Sequence, residues 1–464
     1  MDYTQGNGTV APNTRFNEYS LKTQLGLNSK LGLFRLYYDY NQPKYGLLVD
    51  AAVPLITANS RENEVWYQNL NSHLLSTRNT LFFGPVKVDV NGAYQSNSRQ
   101  LKTTPASPFF TAADMTLNTL SYEVKSYLPA GKLSDLIVGV QGATVENINH
   151  EAPNQVIPDA KVNDLSLFSL IQSNPVDALK IQAGARYDFR NITTSNDAAL
   201  NKHYGNISAS AGATYNVSDM ILVRTNFASA YRTPNLAELT QDGVHGTRYE
   251  QGNTELQSQR NYEIDLSAHY HSDLIFLDVS VFNNRINNYI YIAPTNEYTE
   301  NDLQIFRYSQ SDATIKGAEI TFNIQAASQL QVESSYSYLI GERSNGDPLP
   351  YIPQNKIRLS ASYHPGNFFK SIKAPALNIG GLYAFSQDRP AMFETGTDHY
   401  LVLNASISGD LHIQQQPVSI ALKVNNLFDE LYVDHLSTLK EMGYYNMGRN
   451  ISIQLRIPFK TQIH

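Results

Sequence analysis

The strongest constraint on this chain is an alternation of apolar and polar residues with period two, held over runs of ten or more residues. In SQRNYEIDLSAHYH, Tyr262, Ile264, Leu266, Ala268 and Tyr270 alternate with Gln259, Asn261, Glu263, Asp265, Ser267 and His269. Successive side chains of a strand point to opposite faces, so this run is a strand with one oily face and one wet face. The preceding run, DMILVRTNFASAYRTPN, places Ile221, Val223, Thr225, Phe227 and Tyr231 on one side and Arg224, Asn226, Ala228 and Ala230 on the other. Both exceed the usual globular strand of about five or six residues. They match the roughly ten residues that a tilted strand needs to cross a hydrocarbon layer.

The same pattern recurs along the whole chain. Strands are predicted near 19–27, 34–40, 67–76, 86–94, 120–128, 136–140, 165–172, 179–190, 207–215, 219–231, 259–271, 274–292, 314–324, 332–338, 357–363, 377–385, 401–408, 418–428 and 449–459, about nineteen in all. In the last, Ile451, Ile453, Leu455, Ile457 and Phe459 oppose Asn450, Ser452, Gln454 and Arg456. The stretch 41–64, with Pro43, Pro54 and Arg61, reads as a long loop, and TRNTLFFG reads as a short link. Connections of about four residues alternate with loops of roughly ten to twenty-five, as periplasmic turns and extracellular loops do in outer-membrane barrels. An open sheet edge in lipid would leave backbone N–H and C=O groups unpaired at several kcal/mol each, which favours a closed wall. The fold expected is therefore all-β, a wide transmembrane antiparallel β-barrel whose lumen its own side chains cannot fill.

Composition supports this and excludes alternatives. Charged residues are 17% of the chain, below the roughly 25% of ordinary soluble domains, while 30 Tyr and 19 Phe accompany a single Trp. A net charge of −7 with no basic stripe argues against nucleic-acid binding. The absence of cysteine removes disulfides, Cys zinc sites and thiol catalysis. There is no run of about eighteen apolar residues, so no helical span is expected, and the start MDYTQGNGTVAPNT lacks a basic or apolar leader pattern.

Several segments together resemble the TonB-dependent outer-membrane receptors. They are the run NFASAYRTPNLAELTQDGVHGTRYEQGNTELQSQRNYEIDLSAHY, then GARYDFR, YSQSDATIKGAEITFNI, LPYIPQNKIRLS and VNNLFDELY. The resemblance implies a 22-stranded barrel around an N-terminal plug whose short box engages TonB, and uptake of a scarce ligand, an iron-siderophore or other metal complex foremost. Neither plug nor box is recognisable here. With about three strands short of that pattern, residues 1–464 are expected to be a receptor barrel incomplete on its N-terminal side. Outer-membrane lipid, the TonB complex and a small metal chelate are the implied partners, and the barrel is expected to be monomeric, without catalysis or resident cofactor. A passive porin-like channel or an inactive receptor remnant is the alternative.

No catalytic or metal-site spacing occurs among the histidines. In the long loop 232–257, Arg232, His245, Arg248 and Tyr249 could hold an anionic ligand through charge-assisted hydrogen bonds and aromatic contact. Solvated loop charge would read the same way. Arg389 with Phe393, and Tyr432 with His435, are further candidates at the mouth. On the wet face, Arg186, Arg224, Glu263, Asp265 and Glu319 are expected to line the lumen, the acids pairing with arginines such as Arg224 and Arg186. His269 and His271 share that face.

Overall fold

The computed structural model describes residues 1–58, 60–104, 110–155, 157–195, 200–245, 248–366, 372–413 and 416–458. The wall begins with β1 (Phe16–Ser29), β2 (Gly32–Gly46), β3 (Tyr67–Phe83), β4 (Val86–Lys102), β5 (Thr111–Pro129), β6 (Ser134–Asn149), β7 (Ala160–Val176), β8 (Leu179–Thr194), β9 (Asn201–Asn216) and β10 (Ile221–Arg232). A loop then carries a short helix, α1 (Leu236–Thr240), and two short strands, β11 (Asp242–His245) and β12 (Arg248–Gln251). The wall resumes with β13 (Gln259–His271), β14 (Ile275–Tyr298), β15 (Gln304–Ala327), β16 (Leu330–Arg343), β17 (Lys356–Tyr363), β18 (Ile372–Ala384), β19 (Tyr400–Ile413), β20 (Gln416–Asn425) and β21 (Asn450–Arg456). Of these 21 strands, all but β11 and β12 form the wall, so the nineteen read from the alternation are present. Each wall strand pairs antiparallel with the next, and β10 passes over the loop to pair with β13.

Cross-strand register explains why the sheet has two chemistries. Phe227 stands opposite Ile264, Leu266 opposite Val281, Tyr187 opposite Leu167 and Ile207, and Ile407 opposite Leu422, which in turn faces Ile453. These side chains are exposed: Ile264 by 55%, Leu266 by 52% and Ile453 by 71%. Apolar rows this extensive on an outer surface mark a hydrocarbon-facing girdle, because soluble monomers rarely expose contiguous patches larger than a few hundred Å². No helix among the described residues is long and apolar enough to cross a membrane.

Several details differ from the sequence reading. β2 continues to Gly46 through Pro43, inside the stretch taken as loop, because β1 pairs along it up to Phe16 opposite Tyr45. Proline has no N–H to give, and the β2–β3 ladder skips Gln42 and Pro43. The supposed link TRNTLFFG is mostly strand, leaving a turn at Gly84, whose φ of 60° suits glycine. Phe459 lies outside the described residues.

Tyr231 also departs from its apolar row. The β9–β10 ladder ends at Ser229 opposite Ala209, and beyond that point Tyr231 lies against Asp188 and lines the lumen. Arg260 reaches across the opening, donating to the Ile207 carbonyl oxygen at 3.1 Å.

β1 and β21 do not pair with each other among the described residues. At the rim bearing the long loops, however, the first residues are stitched to the loop before β21. The Tyr3 hydroxyl donates to the Tyr445 carbonyl at 2.9 Å, the Tyr445 N–H donates to Gln5 Oε1 at 2.7 Å, and the Gly448 N–H donates to the Thr4 carbonyl at 2.8 Å.

Candidate functional site: the lumen wall and the mouth

Inside the wall, Arg186 is the centre of one polar cluster. Its Nε donates to Asp188 Oδ1 at 2.6 Å, Nη2 to Ser166 Oγ at 2.6 Å and Nη1 to Gln141 Oε1 at 3.1 Å, while the guanidinium lies 5.7 Å from the Phe168 ring centre. Arg190, two residues up the same face, makes a two-pronged pair with Asp164 at 2.6 and 2.8 Å and donates to Thr233 at 2.9 Å. Gln141, Asp164, Ser166, Arg186, Asp188, Arg190 and Tyr231 line a cavity of about 490 Å³ in the lumen. The acid that Arg186 meets is Asp188 and not Glu263, Asp265 or Glu319. The expected pairing of those acids with Arg224 and Arg186 is corrected by register. Glu263, Asp265 and Glu319 stand opposite Ala228, Asn226 and Ser280, and Asp265 accepts from Asn226 Nδ2 at 3.3 Å. Arg224 stands between Thr214 and Ser267, with no ion pair among the described residues. His269 and His271 have ring centres 5.6 Å apart, and His269 Nδ1 is 3.3 Å from Asp278 Oδ2. Among the described residues no group of three or more His, Asp or Glu is placed to hold a metal ion.

At the mouth, the loop after β10 folds by local rules. Asn235 caps α1 by accepting from the Glu238 N–H at 2.8 Å, and the Glu238 carboxylate accepts from the Asn235 N–H at 2.9 Å, a complete capping box. The same carboxylate takes both hydrogen bonds from Arg232 Nη1 at 2.8 Å. Asn253 locks the far end, its N–H donating to the Glu238 carbonyl at 2.8 Å and its Nδ2 to the Tyr308 carbonyl at 3.1 Å. Leu239 and Leu256 are thereby buried with Ile192 and Ile290. The motif residues thus build a clasp, and Arg232 is part of it.

The other loop candidates are also engaged. Arg248 pairs with the buried Glu250 at 2.6 Å, and Glu250 in turn accepts from Gln241 at 2.6 Å. The Tyr249 hydroxyl donates to Asp242 at 2.8 Å. His245 closes β11 with its backbone opposite Arg248, and its side chain lies outside what is described. Arg389 pairs with Glu342 at 2.5 Å.

What the sequence did not show is which candidates meet. Arg248 lies 4.7 Å from the Phe306 ring centre, Phe306 makes an edge contact with Phe393 at 5.8 Å, and Phe393 another with Tyr351 at 6.0 Å. Three separate connections therefore contribute to one cation–aromatic cluster. Phe306 and Tyr351 carried no periodic signal, and Tyr351 is held at a φ of 60°, where only the surrounding loops can keep it.

Tyr432 and His435 belong to a second junction. The Tyr432 and Tyr400 rings are 4.6 Å apart, Asp434 binds Lys356 at 2.6 Å and accepts from Tyr400 at 3.0 Å, and His435 Nδ1 meets Thr397 Oγ1 at 2.8 Å. Burial alone would raise the Asp434 carboxyl, but Lys356 and the Leu436 N–H outweigh it and hold it below the usual range. His435 is pushed the opposite way to a partnered histidine: burial and then Lys440 lower its pKa, against the weaker pull of Glu394.

A wide, lipid-girdled, antiparallel barrel with a polar lumen and a roof of interlocked loops is an outer-membrane barrel of the receptor and transporter kind. The chain belongs to the TonB-dependent receptors: the family model for a TonB dependent receptor-like β-barrel matches residues 2–427. The iron-regulated outer membrane virulence protein of Vibrio cholerae serotype O1 is 21% identical over 363 residues, 75% of this chain and 52% of that protein. This chain thus spans about half the length of that relative. Among solved structures, the copper transporter OprC superposes with a TM-score of 0.82 at 15% identity, over 98% of this chain and 73% of its own. The FrpB iron transporter of Neisseria meningitidis gives 0.72 at 13%, over 98% and 74%. The siderophore receptor PirA of Acinetobacter baumannii gives 0.72 at 14%, over 95% and 70%. The strand count, the wet and oily faces and the outer-membrane location stand as read. The family consists of receptors and transporters, which is a non-enzymatic role.

Proposed function

We propose that residues 1–464 form the barrel of an outer-membrane receptor that takes up a scarce metal chelate, of the iron-siderophore class, by TonB-dependent transport. The observation that carries this reading is the mouth cluster of Arg248, Phe306, Tyr351 and Phe393 above a polar lumen. A chelate with aromatic arms and anionic oxygens would find stacking faces there together with a cation. The similar proteins, an iron-regulated protein, iron and copper transporters and a siderophore receptor, favour a metal-bearing ligand. Binding at the mouth followed by energised passage needs no covalent chemistry.

The test is uptake of radioactive iron chelates by iron-starved cells with and without the intact gene. Uptake that falls on deletion, falls again in Phe393→Ala, and stops on adding a protonophore supports the reading. Equal uptake in the deletion strain removes iron chelates, and uptake indifferent to the protonophore identifies a passive pore.

A further inference from the structure

On β1 to β5 the outer face of the wall changes character along each strand, and the register fixes where. Leu25 stands opposite Leu36, Leu21 opposite Tyr40, and Tyr38 opposite Leu75, which faces Tyr94 and, across β4, Leu120. This is the hydrocarbon girdle: Leu25 is 70% exposed and Leu120 56%, whereas Arg78, Asn91 and Glu123 on the alternate face line the lumenal cavity. Toward the long-loop rim the same outward face turns polar. Gln42 follows Tyr40, Asn71 and Asn69 lie beyond His73, and Ser96, Ser98 and Gln100 follow Tyr94. Two cations end the series. Lys44 stands opposite Asn69 and Asn69 opposite Gln100, while Tyr67 stands opposite Lys102 one alternation further out. At about 3.3 Å per residue and a tilt of about 40°, Lys44 lies roughly 10 Å above Tyr40. Tyr38, Tyr40 and Tyr94 mark the edge of the hydrocarbon, as interfacial aromatics do, so the lysines stand at the level of the lipid headgroups.

The two ammonium groups are held among aromatic rings. Lys44 Nζ lies 5.8 Å from the Tyr67 ring centre, Tyr67 meets Phe110 edge-on at 6.4 Å, and Lys102 Nζ lies 5.5 Å from the Phe110 ring centre. Lys102 also donates to Thr111 Oγ1 at 2.6 Å, which leaves its ammonium with further N–H donors. Among the described residues no carboxylate oxygen comes within 4.0 Å of either ammonium. The acid in the Lys44 row, Asp114, stands opposite Gln100 and accepts from its Nε2 at 2.8 Å. Cations without a carboxylate partner, beside rings and amides and continuous with a lipid-covered surface, complement a lipid whose headgroup carries phosphate and sugar. Lysine meets phosphate as a point charge, and basic pockets at a membrane surface collect anionic headgroups. An aromatic ring packs on the C–H face of a sugar while amides bond its hydroxyls. We propose that Lys44 and Lys102, with Tyr67 and Phe110 between them, form an outward-facing site for a phosphorylated glycolipid of the surrounding leaflet, whose sugar meets Asn69 and Gln100. The site lies on the outside of the wall, so neither the contents of the lumen nor the ligand of the mouth enters into it.

Lipid A, an acylated glucosamine disaccharide with two phosphates, is the probe. The protein encoded by the intact gene is purified from outer membranes in detergent, stripped of lipid on a column and immobilised. Retention of radiolabelled lipid A is then measured for the wild type, Lys44→Gln, Lys102→Gln and the exposed-turn control Lys132→Gln. The expected result is at least fivefold weaker binding in K44Q and in K102Q and unchanged binding in K132Q. Lys44→Arg and Lys102→Arg keep the charge and should bind as the wild type does, which separates a lost site from a lost fold. Enzymatic removal of the phosphates should weaken binding to the wild type as much as the double variant K44Q/K102Q weakens binding of the intact lipid. Undiminished binding in K44Q and K102Q overturns the proposal, as does equal retention of the phosphate-free lipid. Equal competition by glucosamine phosphate without acyl chains overturns it by assigning the lysines to a soluble phosphosugar. A loss shared by K44R and K102R overturns it too, by making the lysines structural.

Discussion

At the residue scale, the mouth is held by charges that are already matched, and this determines what single substitutions do. Glu238 serves Arg232 and the Asn235 cap at once, so Glu238→Ala should destabilise the loop by about 1–3 kcal/mol, against about 1 kcal/mol for Asn235→Ala. Hydrogen exchange at Leu239 and Leu256 reads both, and equal protection in wild type and E238A would refute the shared role. His435 gives a pH dependence. Its pKa lies below the ordinary 6.5, so the folded junction prefers the neutral ring. That contribution is complete above pH 6.5 and is lost as pH falls below it, when the opened loop takes up the proton more readily. The Asp434 contribution survives further into acid, because a lowered carboxyl stays ionised until the pH passes below its ordinary value of 3.8. Protection from exchange at the Thr397–His435 contact, relative to the intrinsic rate at each pH, should therefore fall as the pH drops below 6.5, and His435→Gln should flatten the profile. An identical slope in H435Q would assign the acid sensitivity elsewhere.

At the scale of the strand, the two faces make opposite forecasts for neighbouring positions. Leu266 faces hydrocarbon and Ser267 faces the lumen on the same strand. Arginine at 266 should cost about 2–4 kcal/mol near the middle of the bilayer, whereas arginine at 267 should cost little. Reversible urea unfolding in lipid vesicles measures both, and similar costs would mean the faces are misassigned. Gly139 sits where an added Cβ would collide with the Phe168 ring, the ring beside which Arg186 lies. Gly139→Ala should lose about 1–3 kcal/mol through overpacking, with Phe168→Leu restoring part of it. No rescue in the double variant would show that the crowding lies elsewhere.

These elements also show why some features were legible in the sequence and others not. Alternation is a local property, so the nineteen wall strands follow from the chain itself. Tyr231 was misplaced because β10 leaves β9 after Ser229, an event set by the loop above it and invisible in the period. The parallel pairing of β12 with β15, which sets Tyr249 opposite Ile305, joins segments more than fifty residues apart. The ion-pair partners failed for a different reason, since period two gives the face of a side chain but not its neighbours: Arg186 finds Asp188 on its own strand and Ser166 on β7, whereas Glu263 lies on another sector of the wall. The run from Arg232 to Asn253 is recognisable in the sequence as a motif, while the contacts by which it ties the loop together, Arg232 to Glu238 and Asn253 to Tyr308, are not.

At the scale of the whole molecule, the long-loop rim is joined across its connections. The loop before β19 meets the loop before β21 through Thr397 and His435, that loop holds residues 3–5, and Glu394 accepts from the Tyr351 N–H at 2.8 Å. Opening one connection should therefore loosen its neighbours. Thr397→Val should raise hydrogen exchange at Tyr445 as well as at His435, whereas independent loops would confine the change to the substituted junction.

β14 and β15 are 24 residues each, while roughly ten residues suffice to traverse a bilayer. At about 3.3 Å per residue, the surplus stands well clear of the lipid as a stiff ladder with its tip at residues 299–303. To anything approaching from the medium, be it an antibody, a phage or a protease, that mast is an exposed target on this barrel. A nick there would sever the chain at its most distant point and leave the girdle below untouched.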